Sequence, residues 1–288
     1  MSWDLTFIEA FRYRKDIQSI TITIAEISIS LLTESSSIAD FIKTRYQQFH
    51  ASSEEPQYQI QIHLSAGLSF SSDNPNELFF NRQKFSKEKN FIYSNGYTGY
   101  LDKQQRLGKV VVSDDNAETW VEHYLRFAYS WMALQNRALL FHGAAIIRDD
   151  AGYVFFGPSN AGKTTITEFS SDYLILGDDM VVVREKPLGC EVYASPFNIN
   201  LGKLKIANSN KRIQGFYRLH QDKKNFLQPM SEAKSLAELM SSVPLSSANF
   251  SGNLIAFERC RMIAKQIPCY NLHFTRDDSF WRIINGNF

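Results

Sequence analysis

Residues 153–165 read Tyr153-Val154-Phe155-Phe156-Gly157-Pro158-Ser159-Asn160-Ala161-Gly162-Lys163-Thr164-Thr165. From Gly157 onward this is G-x-x-x-x-G-K-[ST], a phosphate-binding loop pattern. A glycine-bounded loop can turn successive backbone N–H groups inward around an anion. The helix expected after it adds unpaired N–H groups and the positive end of its dipole. Lys163 then suits the β and γ phosphates of a nucleoside triphosphate, and the Thr164 hydroxyl suits Mg2+. At average residue frequencies a chance match in this chain is on the order of one in a hundred. The context narrows it further. Residues 153–156 form an apolar strand-type run, and Ile166 and Phe169 fall at i and i+3 of a short helix. Strand, loop, helix is the setting the motif requires. The expected ligands of Gly157 to Thr165 are ATP, or another nucleoside triphosphate, and Mg2+.

Two features depart from a common nucleotide-binding β-α-β arrangement. Residues 138–147 have a strand pattern and 149–152 a tight turn, so the strand feeding the loop is the second arm of a hairpin. The strand pattern Tyr173-Leu174-Ile175-Leu176-Gly177 ends in Asp178-Asp179, with Asp178 fifteen residues after Lys163. Only one short helix fits between them. This spacing sets both carboxylates beside a bound γ phosphate. Transfer of a phosphoryl group to a hydroxyl needs one acceptor to orient and deprotonate that hydroxyl, and another to hold the metal. Two adjacent acids can divide those roles.

Length and composition bound the rest. The chain has 288 residues, 44 % hydrophobic and 21 % charged, with a net charge of +1. Two domains and an ordinary globular core are expected. Nothing in the charge balance favours nucleic acid or a membrane surface. Asp4 and Glu9 stand where a secretory signal would be basic and then apolar. The apolar region 124–147 is interrupted by Arg126 and Arg137, so no membrane helix is expected. Cys190, Cys260 and Cys269 have no metal-ligand spacing and read as reduced thiols of a cytoplasmic protein. A homo-oligomer stays an open alternative.

Ahead of the motif, 1–112 reads as a small α+β domain of unassigned chemistry. Ile20, Ile22 and Ile24, then Ile27, Ile29 and Leu31, alternate as a half-buried strand pair with a break at Ala25-Glu26. An amphipathic helix is expected over 38–50, a strand over 58–64, a loop over 65–77 and a meander over 91–112 that turns at Asn95-Gly96. His50 and His63 read as surface or edge residues. Residues 113–137 form a linking amphipathic helix whose aromatics, Trp120 to Trp131, suit packing between layers. After the motif, strands are expected at 181–183 and 216–219. A helix capped by Ser231 runs to about 241, and Leu254, Phe257, Met262 and Ile263 suggest a second helix that ends before Pro268. No role falls to His220 or His273.

Three segments together carry a resemblance: Phe141-His142-Gly143, Gly157 to Thr164, and Leu176-Gly177-Asp178-Asp179. Over roughly 138–286 the chain resembles the HPr kinase/phosphorylase-like group, whose fold is shared with ATP-dependent phosphoenolpyruvate carboxykinases. The ending Pro268 to Phe274, then Asp277 to Trp281, is similar to HPr-kinase-related proteins of peptide-tailoring clusters, including kinases of lasso-peptide precursor serines. The resemblance implies a mixed α/β (α+β) P-loop domain over 138–288. It also implies a role for His142 beside the first aspartate. The Glu-Ile-Arg-Gly-Leu-Gly stretch of true HPr kinases has no counterpart; the nearest region is Pro196 to Lys203. Lys203, Lys205, Lys211 and Arg212 could supply the missing positive charge, but an ordinary surface side chain is the preferred reading of each one. The expectation is a Mg-ATP-dependent kinase acting on a peptide or protein serine. Asp178 is the base, His142 its neighbour and Lys163 the phosphate grip, with Thr164 and Asp179 on the metal. A nucleotide-binding regulatory or scaffolding module without turnover is the alternative.

Overall fold

A computed structural model of the protein describes residues 8–9, 12, 16–51, 55–65, 82–85, 89–94, 96–197, 208–244 and 250–286. The chain divides into two compact units, Met1–Met132 with Ser246–Asn249, and Ala133–Leu245 with Phe250–Phe288.

The first unit holds β1 (Gln18–Ile24), β2 (Ile27–Thr33), α1 (Ser36–Arg45), β3 (Tyr58–Ser65), β4 (Arg82–Phe85), β5 (Lys89–Ser94), β6 (Tyr97–Asp102), β7 (Leu107–Ser113) and most of α2 (Ala117–Gln135). Its described strands form one sheet in the order β1-β2-β3-β7-β6-β5-β4. The β1–β2 break is a two-residue turn with Ala25 and Glu26 both at positive φ. That turn suits the twist of a hairpin even without glycine or asparagine. β2 is buried on both faces rather than half-buried. Its serines are hydrogen-bonded there: Ser30 Oγ lies 3.0 Å from Ser19 Oγ, and Ser28 Oγ accepts from Gln57 N at 3.1 Å. The helix expected over 38–50 is shorter. α1 starts at Ser36, with Ser35 capping Ile38 N, and a separate 3-10 turn, Gln47–Phe49, follows. His63 is interior, 3 % exposed in β3, whereas His50 is exposed. The aromatics of α2 lie against this unit's own sheet: Tyr124 Oη donates to Tyr100 O at 2.6 Å and Tyr129 Oη to Ile24 O at 3.0 Å. Most of the expected loop 65–77, and Asn95 of the expected Asn95-Gly96 turn, lie outside the described residues.

The second unit holds β8 (Ala138–Arg148), β9 (Ala151–Phe156), α3 (Lys163–Glu168), β10 (Leu174–Gly177), β11 (Met180–Lys186), β12 (Gly189–Tyr193), β13 (Asn210–Gln221), β14 (Phe226–Pro229), α4 (Glu232–Ser241), α5 (Phe250–Gln266), β15 (Cys269–Phe274) and α6 (Phe280–Asn285). β8 and β9 are the antiparallel hairpin, turning at Asp149 and Asp150, both at positive φ. Two long strands are shared between two layers of pairing. The first half of β8 pairs with β11 and its second half with β9 and β10. The first half of β13 pairs with β12 and its second half, in parallel, with β9 and β15. β9 is therefore central, and its four successive residues Tyr153 to Phe156 are buried, as an internal strand requires.

One face of this sheet carries the core of Phe155, Tyr217, Leu219, Leu272 and Phe274, covered by Ile166 of α3 and by Phe280, Trp281 and Ile284 of α6. Phe155 stacks on Tyr217 at 5.4 Å and meets the edge of Trp281 at 5.7 Å. Such pairs contribute about 0.5–1.5 kcal/mol each beyond the area they bury. α5 is the second expected helix and ends before Pro268. Leu254, Phe257 and Met262 are exposed, while Ala256, Cys260, Ile263 and Ile267 are buried. Small residues at that spacing let a helix approach closely, so the larger apolar groups fall on the outer side.

Candidate functional site

The topology gathers the motif residues at one sheet edge. β9 and β10 are both antiparallel to β8, and β13 and β15 are parallel to β9. Four strands thus run the same way and end together, at Phe156, Gly177, Gln221 and Phe274. Ligands of open α/β sheets bind beyond such carboxyl ends. β8 runs the other way and contributes His142 from its middle, one residue before Gly143, which pairs with Phe156.

The loop after Phe156 needs its glycines. Gly157 sits at φ +152° and Gly162, which opens α3, at φ +110°. Between them Ala161 N donates to Pro158 O at 3.1 Å, and Ile166 N to Gly162 O at 2.9 Å. Lys163 Nζ turns back onto the loop, donating to Gly157 O at 3.1 Å and Pro158 O at 3.2 Å. Burial holds its ammonium below the ordinary lysine range, and the Asp179 and Asp178 carboxylates partly oppose that shift. α3 spans only six residues, so the loop N–H groups and Lys163 matter more here than a helix dipole.

A cavity of about 660 Å3 opens over this loop. It is lined by His142, Ser159, Asn160, Gly162, Lys163, Thr164, Thr165, Asp178, Asp179, Gln221 and Arg276. Its size is in the range of nucleotide-sized ligand sites. Of the residues expected from the sequence, the cavity brings together His142, Lys163, Thr164, Asp178 and Asp179 with most of the loop. Gly157, Pro158 and Ala161 are not among the cavity's lining residues. Both acids lie in the break between β10 and β11, and Asp178 is 3 % exposed.

One pairing differs from expectation. His142 Nε2 lies 3.1 Å from Asp179 Oδ1, the second aspartate and not the first. The backbone explains it: Gly143 N donates to Asp179 O at 2.9 Å and His142 N to Ser242 O at 2.7 Å. These bonds lock His142 beside residue 179. Of the basic candidates, Lys211 and Arg212 do not line the cavity, in keeping with the surface reading of them. Lys211 pairs with Asp150, and Arg212 stands opposite Glu191, both at the far end of β13 from Gln221. Lys203, Lys205 and most of the stretch 196–203 lie outside the described residues. Gln221 and Arg276 were not foreseen. They follow from the parallel pairing of β13 and β15 with β9, which no local pattern announces.

Fit to the expected ligands rests on these groups. Thr164, Asp178 and Asp179 offer hard oxygen donors of the kind Mg2+ takes. The two carbonyls now holding Lys163 Nζ are weak partners that a phosphate oxygen can replace. Among the described residues no group of three or more His, Cys, Asp or Glu side chains is arranged to hold a metal alone, so a cation here would need oxygens from its substrate. Mg2+ commonly binds that way in phosphoryl-transfer sites. The three cysteines are buried and unbridged, their thiols pushed up to about 11 or 12 by burial. They offer no reactive thiolate. Among the described residues no helix is long and apolar enough to cross a membrane.

No protein-family model and no curated protein matches the chain. Among solved structures, the Hpr(Ser) kinase/phosphatase from Coxiella burnetii is similar over 51 % of this chain and 95 % of its own, at 11 % identity and a TM-score of 0.30. This likeness is distant and partial, and it transfers neither residue roles nor an activity.

Proposed function

We propose that the protein is a Mg-ATP-dependent kinase that transfers the γ-phosphoryl group to a hydroxyl, with a peptide or protein serine as the acceptor. The observation that supports this best is the single cavity shared by Lys163, Thr164, Asp178, Asp179 and His142. A phosphate-gripping cation, a metal-binding hydroxyl and two carboxylates are the parts this reaction needs. Lys163 leaves its loop carbonyls for the β and γ phosphates. Thr164 and Asp179 would hold the cation, which when bound would offset the negative charge of the phosphates. His142 Nε2 lies 3.1 Å from Asp179 Oδ1 and so helps to orient that carboxylate. Asp178 takes the proton from the serine hydroxyl as its oxygen bonds to the γ phosphorus and the bond to the β-phosphate oxygen breaks. The products are ADP and phosphoserine, with no covalent enzyme intermediate. The rate gain comes from positioning and charge neutralisation.

Mass spectrometry of the full chain with Mg-ATP and two acceptor pools, serine-containing precursor peptides and HPr-like protein, tests this. A phosphate mass on a serine, absent with Lys163→Ala and with Asp178→Asn, is the expected result. Transfer that survives Asp178→Asn removes Asp178 as the base. Nucleotide bound with no ADP formed and no acceptor labelled would point to a regulatory or scaffolding module instead.

A further inference from the structure

We infer that Arg276 is the second phosphate-binding cation of this site, gripping the α and β phosphates and thus the leaving group of the transfer. This rests on the nucleotide reading above.

The direction of the cavity carries the inference. Asp178, Asp179 and His142 come from β10 and β8, on one side of β9. Gln221 and Arg276 come from β13 and β15, on the other side. Gln221 pairs with Phe274 across the parallel strands, and Arg276 follows Phe274 by two residues. Gln221 Nε2 donates to Asn160 O at 3.0 Å, which ties this side of the edge to the tip of the loop. Where Lys163 takes the β and γ phosphates, the loop backbone cradles α and β. In-line transfer sets the acceptor and the leaving oxygen on opposite sides of the γ phosphorus. The acids mark the acceptor side, so Arg276 faces the leaving diphosphate.

Arg276 is also held ready and uncommitted. Asn225 staples its turn, accepting from Thr275 N at 2.8 Å and donating to Thr275 Oγ1 at 2.9 Å and Ser279 Oγ at 2.6 Å. The neighbouring Asp277 is engaged within the same turn, accepting from Ser279 N and Thr275 Oγ1, each at 2.9 Å, and from Ser279 Oγ. Among the described residues Arg276 makes no hydrogen bond or ion pair. An exposed guanidinium on a stiff turn, facing a cavity that already contains Lys163, suits a planar two-pronged grip on phosphate oxygens.

Calorimetric titration of the full chain with Mg-ADP and with Mg-AMP-PNP tests it. Arg276→Ala should weaken both about 10- to 100-fold, the range for lost charge-assisted hydrogen bonds. Arg276→Lys should recover part of that loss. The melting temperature without nucleotide should not move, because Arg276 is exposed. Wild-type affinity in Arg276→Ala, with binding abolished by Lys163→Ala, overturns the inference and leaves the nucleotide reading standing. A loss confined to Mg-AMP-PNP would move Arg276 to the γ phosphate and overturn it too. A wild-type chain that binds neither nucleotide overturns both readings.

Discussion

Replacing Gly162 by alanine tests the geometry of the loop more sharply than replacing its lysine. Gly162 stands at φ +110°, and a Cβ there would lie 2.6 Å from Phe274 Cζ. Two separate costs follow. Holding a residue with a Cβ at that φ costs about 1–3 kcal/mol. Overpacking against a core ring costs about 1–3 kcal/mol more. Phe274 has little room to retreat, since it is 1 % exposed and packs edge-on to Phe280 at 6.4 Å. The two costs can be separated with a second substitution. Leucine at 274 has no atom at the Cζ position, so Phe274→Leu should relieve the overlap and leave the conformational cost. The double mutant is then expected to be more stable than additivity allows by about 1–3 kcal/mol. Native-state hydrogen exchange in β9 and β13 reads the opening free energy of this unit by itself. Additive effects, with coupling below about 0.5 kcal/mol, would refute the overlap. A fully stable Gly162→Ala would refute the backbone argument as well.

Three further predictions concern charge and packing. Asp179→Asn removes a carboxylate that raises the Lys163 pKa against the dominant effect of burial, so an NMR titration of Lys163 should move to lower pH; no movement, or a rise, would show that the two groups do not interact. His63 is buried in β3, and burial, with the Lys109 ammonium second, lowers its pKa to about 4 from 6.5. Its neutral form is favoured by folding, so its contribution is intact above about pH 6.5 and declines as pH falls toward 4, by at most about 1.4 kcal/mol per pH unit. Denaturant titrations over that range should lose this slope in a folded His63→Gln variant, and an unchanged slope would exclude His63 as its source. Trp281 meets Tyr153 at 5.1 Å, Tyr173 at 5.5 Å and Phe155 at 5.7 Å, and its Nε1 donates to Ser170 Oγ at 3.0 Å. Trp281→Ala should cost about 3–5 kcal/mol in urea unfolding, and a loss under about 1 kcal/mol would mean that α6 is not part of the core.

Local pattern made much of the second unit legible. Four buried apolar residues, a glycine-bounded loop and a short helix could be read in order because each leaves its mark within a few residues of sequence. The hairpin before the loop was readable for the same reason, since Asp149 and Asp150 are turn residues between two apolar runs. α5 was legible as a helix, but not its buried side, because exposed Leu254, Phe257 and Met262 outweigh buried Ala256 and Cys260 on any hydrophobicity count. Burial on a closely packed helix selects for small size, and a count of large apolar residues does not see that. The division of β8 and β13 between two layers was not readable at all, because each strand is continuous in pattern and changes partners only in space.

The same limit runs through the candidate site. Lys163 and Thr164 were legible because the loop chemistry fixes their spacing to the glycines. His142 was placed beside the wrong aspartate because both acids sit in a break between strands, where alternation no longer tells which carboxylate faces which neighbour. Gln221 and Arg276 lie 58 and 113 residues beyond Lys163 and reach the cavity only through two parallel pairings. Gln221 ends β13 and Arg276 lies two residues past the end of β15, and a polar residue in such a place marks on its own a solvated turn. What turns them into candidates is the shared direction of β9, β13 and β15, which delivers every residue following those strands to one edge. A loop motif therefore identifies the part of a phosphate site made by its own backbone. The residues proposed to complete it on the leaving-group side come from strand order, so in this protein they could be named only after the sheet was known.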